Sequence, residues 1–261
     1  MKYFGLPVWW WVSLVLARSA EPVPLPGAHA HNDYEHARPL AEALALGFGN
    51  VEADVWWVNG AMLVAHDLKN VNTERTLVAL YLDPLRVRMQ RHGGRVFSES
   101  AAFTLLIDVK SEAEATYAAL DAILKTYTDL VTEFRGDRVE RRAITIVISG
   151  NRAIDTMRKQ AVRYAAVDGR SGDLETNPSP TLVPWVSENW QKLFSWRWEG
   201  AMPAKDRVAL RAFVERAHAQ GRQVRFWNTP DRREAWQVLK EAGVDLIGTD
   251  DLAGLAAFLA R

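Results

Sequence analysis

Three acidic side chains and two histidines in this chain of 261 residues have the types and spacing of a cation-assisted reaction. Glu52 and Asp54 lie two apart in Asn50-Val51-Glu52-Ala53-Asp54-Val55, and residues two apart on a strand point to one face. If Val51, Ala53 and Val55 face helices, both carboxylates face an interior. Two inward carboxylates without cover repel each other and are costly to desolvate. A divalent cation removes that penalty, and Asp108 in Leu106-Ile107-Asp108-Val109-Lys110 supplies a third hard oxygen. Three carboxylates with water suit Mg²⁺ or Ca²⁺. The plain alternative is that Glu52 pairs with Lys110 or an arginine and binds nothing. His29 and His66 shift the balance, because two imidazoles flanking a cation suit the general base and general acid of a phosphoryl transfer. His36, His92 and His218 read as structural, the last within a helix.

Those side chains need strands to aim them. Apolar runs predict eight strands: 27–30, 50–55, 104–109, 143–149, 162–167, 182–186, 223–227 and 245–248. Helical periodicity falls between them at 38–46, 76–91, 112–126, 152–159, 205–220, 232–242 and 251–260. Alternation of buried strands with helices implies an α/β fold, a single-domain (β/α)₈ TIM barrel. Asn59-Gly60 predicts an extra β-hairpin after strand two, leading to His66-Asp67. In such a barrel chemistry sits at the carboxyl ends of the strands. Polar residues there, His31, Asn32, Asp33, Asn151, Asp168 and Trp227, are therefore candidates to contact substrate.

Composition narrows the classes. Thirty-two basic and 32 acidic residues give no net field to hold nucleic acid. Zero cysteines exclude disulfides, thiolate metal sites and a cysteine nucleophile. Lys2 followed by the apolar run Leu6 to Ala17 and small residues reads as a secretory signal peptide over residues 1–20, shorter than the ~20 apolar residues of a membrane span. The expectation is an exported protein, periplasmic or secreted, with no permanent membrane span and one domain over 21–261.

Together these motifs resemble the superfamily of glycerophosphodiester phosphodiesterases and phosphatidylinositol-phospholipase-C-like barrels. The resemblance rests on Glu52-Ala53-Asp54, His66-Asp67, Leu106 to Lys110, Phe226-Trp227-Asn228 and Gly243 to Asp250, and it covers the chain from about Pro26 onward. Within it, His29 to Tyr34, Arg38-Pro39-Leu40, Leu80 to Leu85, Ile148 to Arg152 and Asp168-Gly169-Arg170 resemble the branch named for the yeast altered inheritance of mitochondria protein 6. The resemblance implies a metal-dependent phosphoric diester hydrolase acting on a glycerophosphodiester or phospholipid-type substrate. It implies His29 and His66 as acid and base, Glu52, Asp54 and Asp108 as ligands, and Lys110 on the phosphate. The chain departs from typical glycerophosphodiesterases in lacking a Glu-Asn pair after the first histidine; Asn32 instead resembles the sphingomyelinase D branch.

Two other classes compete. His29-x-His31 is also how zinc amidohydrolase barrels hold metal, although those need further histidines from strands five and six. Eleven tryptophans, with Trp185, Trp190, Trp196 and Trp198 clustered, would suit a non-catalytic barrel that binds sugars or choline-like cations.

Overall fold

The computed structural model describes residues 21–99 and 101–260, so the leader expected over residues 1–20 lies outside the described residues. The strands are β1 (Leu25–Ala30), β2 (Phe48–Val58), β3 (Ala61–Val64), β4 (Thr104–Val109), β5 (Glu133–Arg135), β6 (Arg138–Glu140), β7 (Thr145–Gly150), β8 (Ala166–Gly169), β9 (Trp185–Asn189), β10 (Gln223–Trp227) and β11 (Leu246–Thr249), most of them formed by short apolar runs. Eight of them run parallel in the order β1-β11-β10-β9-β8-β7-β4-β2, and pairing of β1 with β2 closes the ring. This is the (β/α)₈ barrel expected from the alternation of elements. The hairpin is also where it was expected: β3 pairs antiparallel with β2 outside the ring, and Asn59 and Gly60 turn the chain with φ of 50° and 79°. Both values suit the primed turns that match strand twist.

Period-two alternation splits each barrel strand between two environments. Outward residues Val51, Ala53, Val55, Leu105, Ile107, Val109, Ile146 and Ile148 join the main core beneath the helices. Among those helices are α1 (Ala41–Ala45), α2 (Asp83–Arg91), α3 (Ala113–Leu124), α4 (Ile154–Lys159), α5 (Asp173–Thr176), α6 (Trp190–Leu193), α7 (Ala204–Ala219), α8 (Arg233–Glu241) and α9 (Leu252–Leu259). Inward residues Leu106, Val147, Ala166, Trp185 and Leu246 form a second apolar cluster that fills the barrel. Phe134 of the β5–β6 hairpin belongs to it, stoppering the interior on the side where β7 begins. Above this plug the next inward positions are polar.

Boundaries differ from expectation where backbone chemistry overrides apolarity. The sixth barrel strand runs 185–189 rather than 182–186 because Pro184 has no N–H for the ladder. The fifth begins at Ala166 rather than Val162, since Arg163 bonds back to Phe134. The predicted helix over 76–91 divides into a π-turn at Val78–Leu82 and α2, with Pro84 in the first turn of α2. The β5–β6 hairpin was not foreseen: three-residue strands rich in charge carry no periodic signal. Among the described residues no helix is long and apolar enough to cross a membrane.

Gly150 ends β7 at φ 67°, and a Cβ there would lie 2.2 Å from Asp108 Oδ1 and 2.4 Å from the Val109 carbonyl. Gly150→Ala should therefore lose about 2 kcal/mol or more of stability in urea denaturation. Unchanged stability would mean that neither the positive φ nor the close approach constrains this corner.

Candidate functional site

Glu52 and Asp54 project from β2 into the barrel mouth, and strand register brings Asp108 of β4 directly beside Asp54. One oxygen from each carboxylate lies within 4.8 Å of the others. Glu52 and Asp54 are buried and Asp108 nearly so. The expected trio is thus a real cluster. Its compensation is incomplete: Asp54 Oδ1 and Asp108 Oδ1 are both buried without a hydrogen-bond partner.

Positive charge approaches from two sides. Lys110 extends from just beyond β4, with Nζ 3.0 Å from Asp54 Oδ2 and 2.5 Å from Asp108 Oδ2. Arg225 of β10 donates from Nη1 to Glu52 Oε2 at 2.9 Å, and the same nitrogen is 2.9 Å from His29 Nε2. Burial alone would raise the Glu52 carboxyl, yet Arg225 and His29 hold it well below the usual carboxylate range. At Asp108 burial prevails over Lys110 and raises the carboxyl. Burial would likewise strip the Lys110 proton, but Asp108 and Asp54 hold the ammonium charged.

The two histidines expected to flank the acids do so, in contrasting settings. His29 on β1 is wholly buried, with Nε2 2.8 Å from Glu52 Oε2. Burial and the Arg225 charge push its imidazole down to about 4, so it is neutral at neutral pH. His66, just past β3, has a side chain 56% exposed, with Nδ1 2.9 Å from Asp54 Oδ2. Tyr34 donates to the same Asp54 oxygen at 2.7 Å and lies 3.3 Å from His66 Nδ1.

The remaining candidates scatter. His31 faces Asp250 at 2.8 Å, and although burial opposes it, that bond raises its pKa. Together with His29, Arg225, Trp227 and Asn228 it lines a cavity of about 130 Å³ beside the acids. Asn32 adopts a left-handed φ of 45° and accepts from Tyr34. Asp33 is held apart: it is wholly buried and accepts from the Leu40 N–H and the Tyr81 hydroxyl, bracing the loop after β1. Asn151 is exposed and donates to the Lys110 and Ser111 carbonyls, which fixes the backbone at Lys110. Asp168 is buried across the mouth on β8, bonded to Ser149, Ser187 and Arg170. The Trp227 ring lies 5.0 Å from the Arg170 guanidinium. Of the clustered tryptophans, Trp190 stacks with Phe194, Trp198 and Phe226 in the core, and Trp185 lies inside the barrel edge-on to His29. Trp196 packs against Trp190 and Trp198 and also lines a surface cavity with Met202 and Leu210.

Sequence reading missed Arg225. Its signal was present in Gln223-Val224-Arg225-Phe226-Trp227, where an arginine occupies an inward position of an otherwise apolar strand. Burying a guanidinium charge is costly unless it is paired, and only the closed ring shows that Glu52 stands opposite Arg225.

A closed parallel barrel with carboxylates, imidazoles and a lysine gathered at the carboxyl ends of its first strands defines a phosphodiesterase-type barrel, and comparison with known proteins agrees. Residues 16–168 match the AIM6-like phosphodiesterase domain, and residues 223–253 match the glycerophosphoryl diester phosphodiesterase family. The chain belongs to the AIM6-like phosphodiesterase family. It is 28% identical over 282 residues to altered inheritance of mitochondria protein 6 of Eremothecium gossypii, covering 93% of this chain and 72% of that one. It is also 28% identical over 269 residues to the homolog from Arthroderma benhamiae, covering 91% and 84%. Among solved structures, a calcium-dependent phosphoinositol-specific phospholipase C from a Gram-negative Pseudomonas shares the fold, with a TM-score of 0.58, 14% identity, and coverage of 90% of this chain and 93% of that one.

The state of His29 predicts a pH dependence. The unfolded chain takes up its proton near the ordinary value of 6.5, the native state only near 4. Stability present above pH 6.5 is therefore lost as pH falls through that interval, and the lowered Glu52 carboxyl adds a loss in the same direction at lower pH. In chelator, urea midpoints should decline as pH falls from 6.5 toward 4, and His29→Gln should flatten that decline. An identical decline in the variant would contradict it.

Proposed function

We propose that this protein is a metal-dependent phosphoric diester hydrolase in which Glu52, Asp54 and Asp108 hold a divalent cation and His29 and His66 move protons. The observation that carries this reading is the pair of buried, partnerless oxygens on Asp54 and Asp108, in a trio where Glu52, Asp54 and Asp108 each bring one carboxylate oxygen within 4.8 Å of the others. Unsatisfied buried carboxylate oxygens are costly, and a hard cation is the ligand they suit. An all-oxygen set favours Mg²⁺ or Ca²⁺ over zinc. The amidohydrolase alternative is further weakened because His31 turns to Asp250, and the inward groups of β8 and β9 are Asp168 and Ser187. When bound, the cation would neutralise charge on the nonbridging phosphate oxygens.

The chain's own groups supply the rest. Lys110 offers an ammonium to the phosphate, a contribution of the kind worth ~3 to 4 kcal/mol per donor in a preorganised site. His29, neutral through burial and Arg225, is ready to accept the proton of the attacking hydroxyl. Arg225 also pins Glu52 so that its carboxylate cannot swing away. His66 is exposed and braced by Asp54 and Tyr34, placed to donate to the leaving oxygen and to regain a proton from solvent. Each such transfer typically contributes ~10² to 10⁴ in rate. The substrate reading is a small-molecule or lipid phosphodiester, and residues 1–20 are read as an export signal, which the amino-terminal sequence of protein recovered outside the cytoplasm would test.

Screening glycerophosphodiesters, lysophospholipids, sphingomyelin and phosphatidylinositol should reveal cleavage of at least one, abolished by chelator and restored by Mg²⁺ or Ca²⁺. Chelator-insensitive turnover would sink the metal assignment. Lys110→Ala should lower turnover by about 10²-fold or more, while cation affinity stays equal or tightens, because Nζ now competes for Asp54 Oδ2 and Asp108 Oδ2. Parallel losses of turnover and affinity would contradict a role on the phosphate.

A further inference from the structure

At the end of the barrel opposite the acids lies a cavity that diester cleavage does not use. The chain has no net charge, yet between Asp83 and Glu99 it carries four arginines and no acid, and Arg138, Arg141 and Arg142 follow shortly before β7. Folding brings parts of both stretches to one cavity of about 490 Å³, set between the end of α2 and the starts of β4 and β7. That volume is in the range of small-molecule sites. Phe103 lines it immediately before β4, and Asp108 lies near the other end of that strand, so the cavity and the acids are ~13 Å apart.

Most positive charge at this end is already answered. Arg86 Nε donates to both oxygens of Asp129, the acid in the cavity wall, at 2.9 and 3.1 Å. Arg88 pairs with Glu21 and Arg142 with Glu140. Arg88 and Arg91 also stand in the last turn of α2, where cations suit the helix dipole. Arg95 and Arg141 have neither explanation. Both line the cavity and lie outside helices, and among the described residues neither makes an ion pair or a side-chain hydrogen bond. Beside them the lining is apolar at Met89, Phe103 and Ala143. Thr132 holds the wall in shape, its hydroxyl accepting from the Arg142 N–H at 3.2 Å. A guanidinium fork fits phosphate oxygens, and an apolar floor next to it suits a carbon skeleton better than a bare anion.

We propose that this cavity binds a small soluble organic phosphate, with Arg95 and Arg141 on the phosphoryl oxygens and Met89 and Phe103 beneath the carbon skeleton. A phosphomonoester carries about −1.5 to −2 charges at neutral pH, which matches two guanidinium groups left without carboxylates. The site does not rest on the function proposed above, and failure to cleave any diester would leave it standing.

Titration calorimetry of the full chain with phenyl phosphate, in chelator, tests the assignment. Saturable binding is expected, weakened about tenfold or more when Arg95→Gln and Arg141→Gln are combined. Both side chains are exposed, so their replacement does not threaten the fold. Lys110→Ala should leave binding within about twofold, because its charge lies beyond the Debye length of ~8 Å at physiological salt. Inorganic phosphate should bind about tenfold more weakly than phenyl phosphate, since it has nothing to lay on the floor. No binding by the parent chain, an unaffected R95Q/R141Q protein, abolition by K110A, or equal affinity for the two phosphates would each overturn the site. Flotation with vesicles of phosphatidylglycerol and phosphatidylcholine separates a membrane surface from a soluble ligand. Vesicle binding that R95Q/R141Q abolishes, without phenyl phosphate binding, would overturn the soluble ligand and assign this end to an anionic bilayer.

Discussion

Three carboxylates held in one corner of a barrel mouth set the terms for everything around them. Their mutual repulsion and the loss of water at buried oxygens work against folding. The structure answers with two fixed cations, Lys110 on the Asp54–Asp108 side and Arg225 on the Glu52 side, and leaves one oxygen each of Asp54 and Asp108 without a partner. That residue of unbalanced charge works against the stability of the fold, and on the function proposed above it is what a bound cation would complete. A corner fully neutralised by side chains would be more stable and would bind nothing.

The same constraint explains why the histidines differ. Arg225 sits between Glu52 and His29, so one guanidinium both stabilises a carboxylate and opposes a charge on the imidazole. His66 escapes that influence at the solvent edge, attached to the opposite acid. Two residues of one type thus stand in contrasting settings, one enclosed beside an arginine and the other at the solvent edge. The wall formed by β8 and its neighbours repeats the device in reverse, with guanidinium groups gathered around a single buried acid.

Support beneath the site comes from an apolar plug. Leu106, Val147, Ala166, Trp185 and Leu246 fill the barrel below the polar layer, and Phe134 from the β5–β6 hairpin stoppers it. Because alternate residues of each strand serve this interior and the helix-covered core, a shift of one position on β2 would bury Val51 and Ala53 in the mouth and send Glu52 and Asp54 into the helices. Register is thereby bound to chemistry, and Gly150 keeps the corner of β7 clear of Asp108.

Much of this was legible along the chain. Local periodicity determines strands and helices, so the barrel, the Asn59-Gly60 hairpin and the inward direction of Glu52, Asp54 and Asp108 follow from sequence alone. Among the boundaries that slipped, two have a clear cause in a proline or a backbone bond to a distant segment, at Pro184 and Arg163. Tertiary structure alone decided who faces whom: that Arg225, 173 residues from Glu52 along the chain, pairs with it, that Asp33 braces a loop instead of facing the mouth, and that Arg152 and Arg170 meet on one carbonyl. The physical reason is that a side chain's direction is set by a few neighbouring dihedrals, whereas its partner is set by closure of the ring, which no local pattern encodes.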